Sequence, residues 1–365
     1  MERQRDRETE RGRDMQTGGQ GDNTFSLSLR PSVSPSLRPS VSPSLRPSVS
    51  VVALFNAADR LTLAYIIFST TLIVVCRRNV QQWATLVSVH LGLIVMIFGL
   101  AYARKRSVPV LSLLSQWYPT LIFLFFFEEI GLIVHAIFPG WFDECLIRAD
   151  YAVFGAHPTV WLEGFSNYWL NEYMQLAYTS YFLLTMGLGA YLWIRGRRED
   201  FAVFIASTCA AYYLCYAIFV LFPIESPHHT LRHLQRVELS GGPFTAFINL
   251  IEKHGRVHGG AFPSAHVAGS VVALISAWRF ARRARYWLTP LVLSVCVATV
   301  YGRYHYVMDV FAGILMAVIG CWLGQRLCPS NQRRERRERS LINERIDGTN
   351  LATARGPDSS ERIES

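Results

Sequence analysis

Residues 61–76 read LTLAYIIFSTTLIVVC and contain no charged side chain. As an α-helix, this stretch is about long enough to cross a hydrocarbon layer ~30 Å thick. A helix lying on the core of a soluble protein would show polar residues at roughly every third or fourth position, and this stretch does not. It therefore predicts a helix that spans a membrane.

The same apolar character recurs along most of the chain. The further stretches are 83–103, 118–137, 174–194, 201–222, 264–281, 287–302 and 306–326. Charged residues make up only 17% of the chain, against about 25% in typical soluble proteins. We therefore predict an all-α, polytopic membrane helix bundle with about seven or eight spans.

The basic residues predict how these spans are threaded. The net charge is +9, and Lys and Arg accumulate on the cytoplasmic side of membrane proteins. Basic clusters occur at Arg104–Arg106, Arg195–Arg198, Arg279–Arg285 and 332–339. If these are cytoplasmic, both termini lie inside and the polar stretches 138–171 and 223–262 lie outside, although Arg77 and Arg78 then break the rule. No nucleic-acid-binding motif accompanies the charge, so we expect the bilayer as partner and no nucleic acid.

The two ends of the chain differ from the part between them. Residues 28–43 repeat the octapeptide SLRPSVSP, and proline and serine at this density oppose a packed core. Residues 1–52 are therefore predicted to be a disordered, low-complexity tail; a wrongly extended translation start explains them equally well. We expect a membrane domain at 53–328 and a disordered cytoplasmic tail at 329–365.

The first chemical motif is GGAFPSAH at 259–266, directly before an apolar stretch. Proline suits the first turn of a helix, where its missing N–H costs nothing. The amides of Ser264, Ala265 and His266 would then be unpaired at a helix N-terminus, which is a natural seat for a phosphate. His266 would supply a proton donor or acceptor near neutral pH. A helix cap with an incidental histidine is the alternative.

The second motif is YGRYHYVMD at 301–309. His305 and Asp309 are four residues apart and so share one helix face. A carboxylate bound to one ring nitrogen fixes the tautomer and leaves the other nitrogen free to attack. Arg303 could bind a phosphate oxygen through its forked guanidinium. A purely structural His–Asp pair at a helix end is the alternative, but ionisable pairs at a membrane surface more often mark a functional site.

FPSAH at 262–266 and HYVMDV at 305–310 resemble the second and third motifs of the phosphatidic-acid phosphatase type 2 superfamily. That resemblance implies a six-helix phosphatase-type core at about 175–326. It also implies roles for the motif residues. His305 would be the nucleophile that forms a phosphohistidine, Asp309 would orient it, His266 would protonate the leaving oxygen, and Ser264 would hold the phosphate.

The sequence departs from that superfamily at its phosphate-binding positions. Thr299 stands where the third motif has an arginine, and 222–229 reads FPIESPHH where the first motif has a lysine and an arginine. This pattern is similar to the branch that contains inositol phosphorylceramide synthases, whose third motif also lacks the arginine. The available replacements are His228, His229, Arg232, Arg256 and Arg303. Of these we take Arg303, His228 and Arg256, together with Ser264, as the expected substrate-binding residues.

Other polar residues allow further expectations. Asp143 and Asp150 precede an aromatic-rich run and predict an interfacial helix. Glu128 and Glu129 would either line a polar cavity or pair within the bundle. Glu172, Gln175 and Tyr178 share a helix face where the next apolar stretch begins, and they are candidate headgroup contacts.

We expect no cofactor and no metal. His254, His258 and His266, joined by His228 and His229, could be interpreted as metal ligands, but they show no recognised ligand spacing.

Together these features predict an enzyme of the cell membrane that acts on a lipid phosphate ester on the non-cytoplasmic face. A hydroxyl acceptor would make it an inositolphosphotransferase-like enzyme, and water would make it a lipid phosphate or pyrophosphate phosphatase. A transporter or a non-catalytic binding protein is the alternative from another class. A transporter would be expected to show two matching halves, and none is visible in the sequence.

Overall fold

The computed structural model describes residues 54–106, 109–255 and 257–328, all within one compact unit. The two predicted tails, 1–52 and 329–365, lie outside these residues. The described residues form thirteen α-helices and two short 3₁₀ turns, and they contain no strand beyond one isolated parallel bridge between Ile224 and Gly260. The predicted all-α helix bundle is therefore confirmed.

The helices follow one another with short connections. They are α1 (Ala57–Val75), α2 (Trp83–Lys105), α3 (Pro109–Ile133), α4 (Asp143–Phe154), α5 (Pro158–Trp161), α6 (Tyr168–Thr179), α7 (Tyr181–Ile194), α8 (Arg198–Leu221), α9 (Pro227–Thr230), α10 (Pro243–Gly255), α11 (Ala265–Phe280), α12 (Arg285–Tyr301) and α13 (Val307–Leu327). The 3₁₀ turns are Leu162–Phe165 and Arg232–Leu234.

The long apolar helices coincide with the predicted spans. Within the described residues, α1, α2, α3, α8 and α13 are long and apolar enough to cross a membrane. The remaining three predicted spans contain the shorter apolar helices α7, α11 and α12. The stretch 174–194, predicted as one span, is divided at Ser180 between α6 and α7.

Helix α8 lies at the centre of the bundle and packs against α1, α3, α7, α11 and α13. Its contact with α13 is close because α13 presents glycine there. A Cβ on Gly320 would lie 2.7 Å from the carbonyl oxygen of Ser207, and a Cβ on Gly324 would lie 2.7 Å from the backbone nitrogen of Ser207. Small residues of this kind let membrane helices approach backbone to backbone.

The described basic clusters gather at one end of the bundle. The contacts that join them there are Arg104 with Asp59 (3.0 Å), Arg60 with the Leu327 carbonyl (3.2 Å), Arg279 with Gln325 (2.6 Å) and Arg197 with the Phe280 carbonyl. The long polar connections meet at the opposite end. There the Asn79 side chain donates to the Ala136 carbonyl (2.9 Å), and the Phe142 amide donates to the Pro223 carbonyl (2.9 Å).

Candidate active site

His305 lies in the short connection between α12 and α13, at the bundle end that carries the polar connections. Its side chain is buried. The backbone amides of Tyr304 and His305 both donate to the carbonyl oxygen of Thr299, at 3.0 and 3.1 Å. The Thr299 hydroxyl donates to the Cys296 carbonyl at 2.8 Å. The residue that stands in place of the expected arginine thus fixes the backbone beside His305.

His305 and Asp309 form the predicted pair, but they do not share a helix face, because His305 precedes α13 and Tyr306 is the N-cap of that helix. Nδ1 of His305 lies 3.2 Å from Oδ2 of Asp309, whose side chain is fully buried. Oδ2 of Asp309 already accepts from the Tyr306 amide at 2.8 Å, so it serves as the acceptor, Nδ1 carries the proton and Nε2 keeps its lone pair. Burial lowers the pKa of His305 to about 4, so the ring is neutral at neutral pH.

His266 faces the other side of the His305 ring. It is the second residue of α11, and its Nδ1 lies 3.4 Å from Nε2 of His305. Its Nε2 lies 2.9 Å from the hydroxyl of Tyr178, whose ring stacks on Tyr304 with centroids 4.2 Å apart. The structure therefore brings together Asp309, His305, His266 and Tyr178 in one hydrogen-bonded chain.

The two imidazoles open onto a cavity of about 270 Å³ between α3, α6, α7 and α10. Among its described lining residues the charged ones are Glu128 and Glu225, and the aromatic ones include Tyr178, Tyr181 and Tyr304. Glu129, the neighbour of Glu128, points elsewhere: its carboxylate lies 3.0 Å from both the Ser69 hydroxyl and Nε2 of His90.

A second, apolar cavity of about 110 Å³ adjoins the first. The two share the lining residues Leu124, Phe127, Tyr181, Phe182 and His266. The second cavity continues along the middle of α3, α7 and α8, where it is lined by Phe123, Met186 and Tyr216. An apolar groove thus leads from the histidines toward the membrane interior.

The expected substrate-binding residues lie outside the described lining of the first cavity. Ser264 is fully buried as the N-cap of α11, and its Oγ accepts from the Val267 amide at 3.3 Å. Arg303 has a φ of 65° and donates to Oε1 of Glu163 at 2.7 Å. These contacts hold both side chains in structural positions, so their phosphate-binding roles stay predictions.

Two expected substrate-binding residues remain, His228 and Arg256. The backbone amide of His228, in α9, donates to the Arg303 carbonyl at 3.0 Å. Arg256 lies outside the described residues, and of His254 only the backbone is described. Their proposed roles are likewise predictions.

Two carboxylates of α4 hold the site in place. Asp143 accepts from the amides of Glu225 (2.8 Å) and Ser226 (3.2 Å) and from the hydroxyl of Tyr306 (2.8 Å). Asp150 accepts from the first two amides of α13, at 2.9 and 3.1 Å. Burial raises the pKa of both groups. A helix is present where the interfacial helix is predicted, and its place at the membrane surface stays a prediction. Its sequence does not show these hydrogen-bond partners, which lie far along the chain.

Comparison with known proteins agrees with the two motifs. Residues 145–323 match the sequence profile of the PAP2 superfamily. The chain is also similar to a PA-phosphatase related-family protein of Dictyostelium discoideum, with 26% identity over 183 residues. That match covers 44% of this chain and 33% of the relative, so the chain spans about one third of the relative's length. No solved structure matches.

The match supports the resemblance to this superfamily, and the matched stretch begins in α4, earlier than the predicted core at about 175–326. The narrower likeness to inositol phosphorylceramide synthases stays a prediction.

Replacement of Asp143 by asparagine is expected to destabilise the protein by about 1–3 kcal/mol, because an amide nitrogen would face amides that now donate to a carboxylate. Thermal unfolding of the purified protein in detergent measures this. Glu144→Gln is the matched control on the same helix. The Glu144 carboxylate is largely exposed and pairs with Arg148, so the free energy of unfolding should change by no more than about 0.5 kcal/mol. Equal melting temperatures for Asp143→Asn and the parent would contradict the anchoring role.

Proposed function

We propose that this chain is an integral-membrane phosphotransferase that acts on a lipid phosphate ester through a phosphohistidine at His305. The observation that carries the proposal is the position of Nε2 of His305. It lies 3.4 Å from Nδ1 of His266, at the wall of a cavity, with Asp309 bound to the opposite ring nitrogen. A nucleophile, a proton donor and a group that orients the nucleophile are the parts that covalent catalysis needs.

In the first step, the Nε2 lone pair of His305 attacks the phosphorus of the substrate. A P–N bond forms, and the bond between phosphorus and the oxygen of the leaving alcohol breaks. His266, in its protonated imidazolium form, gives a proton to that oxygen and becomes neutral. The positive charge that develops on the His305 ring is stabilised by the Asp309 carboxylate, at 3.2 Å from Nδ1.

In the second step, the oxygen of an acceptor hydroxyl attacks the same phosphorus. The P–N bond breaks, His305 regains its lone pair, and His266 takes the proton of the acceptor. The adjoining apolar groove supports a lipid as substrate, since it offers space for an acyl chain beside the histidines.

The acceptor distinguishes two activities. Aromatic walls formed by Tyr178, Tyr181 and Tyr304 favour a hydroxyl acceptor, because transfer requires exclusion of competing water. We therefore favour an inositolphosphotransferase-like activity. The name of the Dictyostelium relative, a PA-phosphatase related-family protein, supports the alternative in which water is the acceptor.

The site would face the non-cytoplasmic side of the cell membrane. The three described basic clusters lie at the bundle end opposite the histidines, and basic clusters mark the cytoplasmic side.

His305→Ala is expected to abolish nearly all turnover, because the variant has no nitrogen that could accept the phosphoryl group. The measurement is hydrolysis of a soluble chromogenic phosphate ester by the purified protein in detergent. His233→Ala, which removes an exposed histidine from the same end of the bundle, is the control and should keep parental activity. Substantial turnover by a folded His305→Ala protein would refute the nucleophile. Absence of turnover in the parent would favour a binding protein or transporter.

His266→Ala is expected to lower the rate by about 10²–10⁴-fold for an ester with a poor leaving group, because general acid catalysis contributes that much. For an ester whose leaving group departs without a proton, the rate of the first step should fall by less. The two substrates are compared in single-turnover kinetics, which isolate the release of the alcohol. An equal loss for both would argue against the acid role of His266.

Incubation with mixed membrane lipids should yield a lipid that carries a transferred headgroup phosphate. Mass spectrometry of the products, with His305→Ala as the blank, detects it. Free phosphate as the sole new product would instead assign water as the acceptor.

A further inference from the structure

The cavity poses an electrostatic difficulty for the function proposed above. A phosphate ester is an anion, yet the charged residues among the described lining are the carboxylates Glu128 and Glu225. No Lys or Arg occurs in that described lining. The guanidinium nearest in sequence to His305, that of Arg303, is bound to Glu163. Like charges in a partly desolvated site repel strongly, so a cation bound beside these two carboxylates would favour binding of a phosphate.

A group of side chains at the rim of this cavity can hold such a charge. Glu225, His229 and His258 each offer one ligand atom, and these atoms all lie within 4.8 Å of one another. Nδ1 of His258 is 3.2 Å from Oε1 of Glu225. The ring centroids of His229 and His258 are 5.1 Å apart.

The backbone around this group is held independently of any bound ion. The Glu225 amide donates to Asp143, and the parallel bridge between Ile224 and Gly260 joins the segment of Glu225 to that of His258. The His229 amide donates to the Ser226 carbonyl at 3.1 Å, which fixes the start of α9. The three side chains are thus brought together by the fold.

We propose that Glu225, His229 and His258 bind a divalent transition-metal ion, with Zn²⁺ as the best match. Two imidazoles and one carboxylate, with a fourth position left open, form a donor set typical of zinc sites that bind a substrate. Mg²⁺ and Ca²⁺ prefer oxygen ligands only.

The distances suit a tetrahedral ion. Zn–N and Zn–O distances of about 2.0–2.2 Å place neighbouring ligand atoms roughly 3.3 Å apart. Glu225 and His258 already have that separation, at 3.2 Å, and the ligand atom of His229 lies within 4.8 Å of both.

The ion would supply a positive charge next to the two carboxylates of the described lining. Glu225 itself lines the cavity, so an ion bound to it would present its open position to a phosphate oxygen of the substrate. This part of the inference rests on the proposed function; binding of the metal does not. His229 and His258 are among the histidines that could be interpreted as metal ligands from the sequence, but Glu225 is not, because the three residues have no motif spacing.

The test uses the full chain in detergent, stripped with a chelator and titrated with Zn²⁺ in a calorimeter. We expect equimolar binding by the parent, by His305→Ala and by His233→Ala. In His258→Ala and His229→Ala the affinity should fall by more than the roughly 10–100-fold that loss of an outer-shell partner costs. His258 is half exposed, so its loss should leave the thermal stability of the metal-free protein unchanged. No equimolar binding by the parent, or parental affinity in both variants, would overturn the site.

Hydrolysis of the chromogenic ester by the same preparations tests the role of the ion. Stripping should lower kcat/KM on the order of 10²-fold, as loss of one charge-stabilising group does, and added Zn²⁺ should restore it. Tight Zn²⁺ binding without any effect on turnover would overturn the phosphate-binding role and leave the metal site standing. Tight binding by a protein with no turnover under any condition would instead overturn the proposed function alone.

Discussion

The arrangement of the site depends on one residue, Asp309. Its Oδ2 accepts from the Tyr306 amide at 2.8 Å, which caps α13, and lies 3.2 Å from Nδ1 of His305. Its backbone carbonyl accepts from the Ser264 amide at 3.0 Å, at the start of α11. One residue therefore fixes the helix end, the orientation of His305 and the position from which α11 presents His266. A buried carboxylate is costly unless it is hydrogen-bonded, and the two contacts of Oδ2 offset part of that cost.

Two further buried carboxylates also fix the backbone around His305 through hydrogen bonds. Asp143 and Asp150 reach from α4 to Tyr306 and to the first amides of α13. Negative groups at a helix N-terminus are favoured by the helix dipole. The connection from Tyr301 to Val307 is thereby held on both sides, so His305 sits on rigid backbone although it lies in a loop. The superfamily match begins in α4, which agrees with a structural need for that helix.

Sequence reasoning succeeded where the determining contacts are local. Long apolar stretches predicted the membrane helices, and the four-residue spacing of His305 and Asp309 predicted their hydrogen bond, although His305 precedes the helix. It was less successful where a side chain has two available partners. Arg303 could bind phosphate or protein, and the fold gives it Glu163, which lies 140 residues away in sequence. Likewise, the meeting of Glu225 with His258 follows from the bridge between their segments, which no spacing reveals.

The central claim is that His305 carries the phosphoryl group between donor and acceptor. The most direct measurement is peptide mass spectrometry of the His266→Ala protein, quenched in alkali during turnover of a chromogenic ester that needs no proton to depart. Without the base of the second step, the intermediate should accumulate as a phosphoryl group on His305 that survives alkali and is lost in acid. Phosphate on any other residue, or turnover with no modified peptide, would contradict the account.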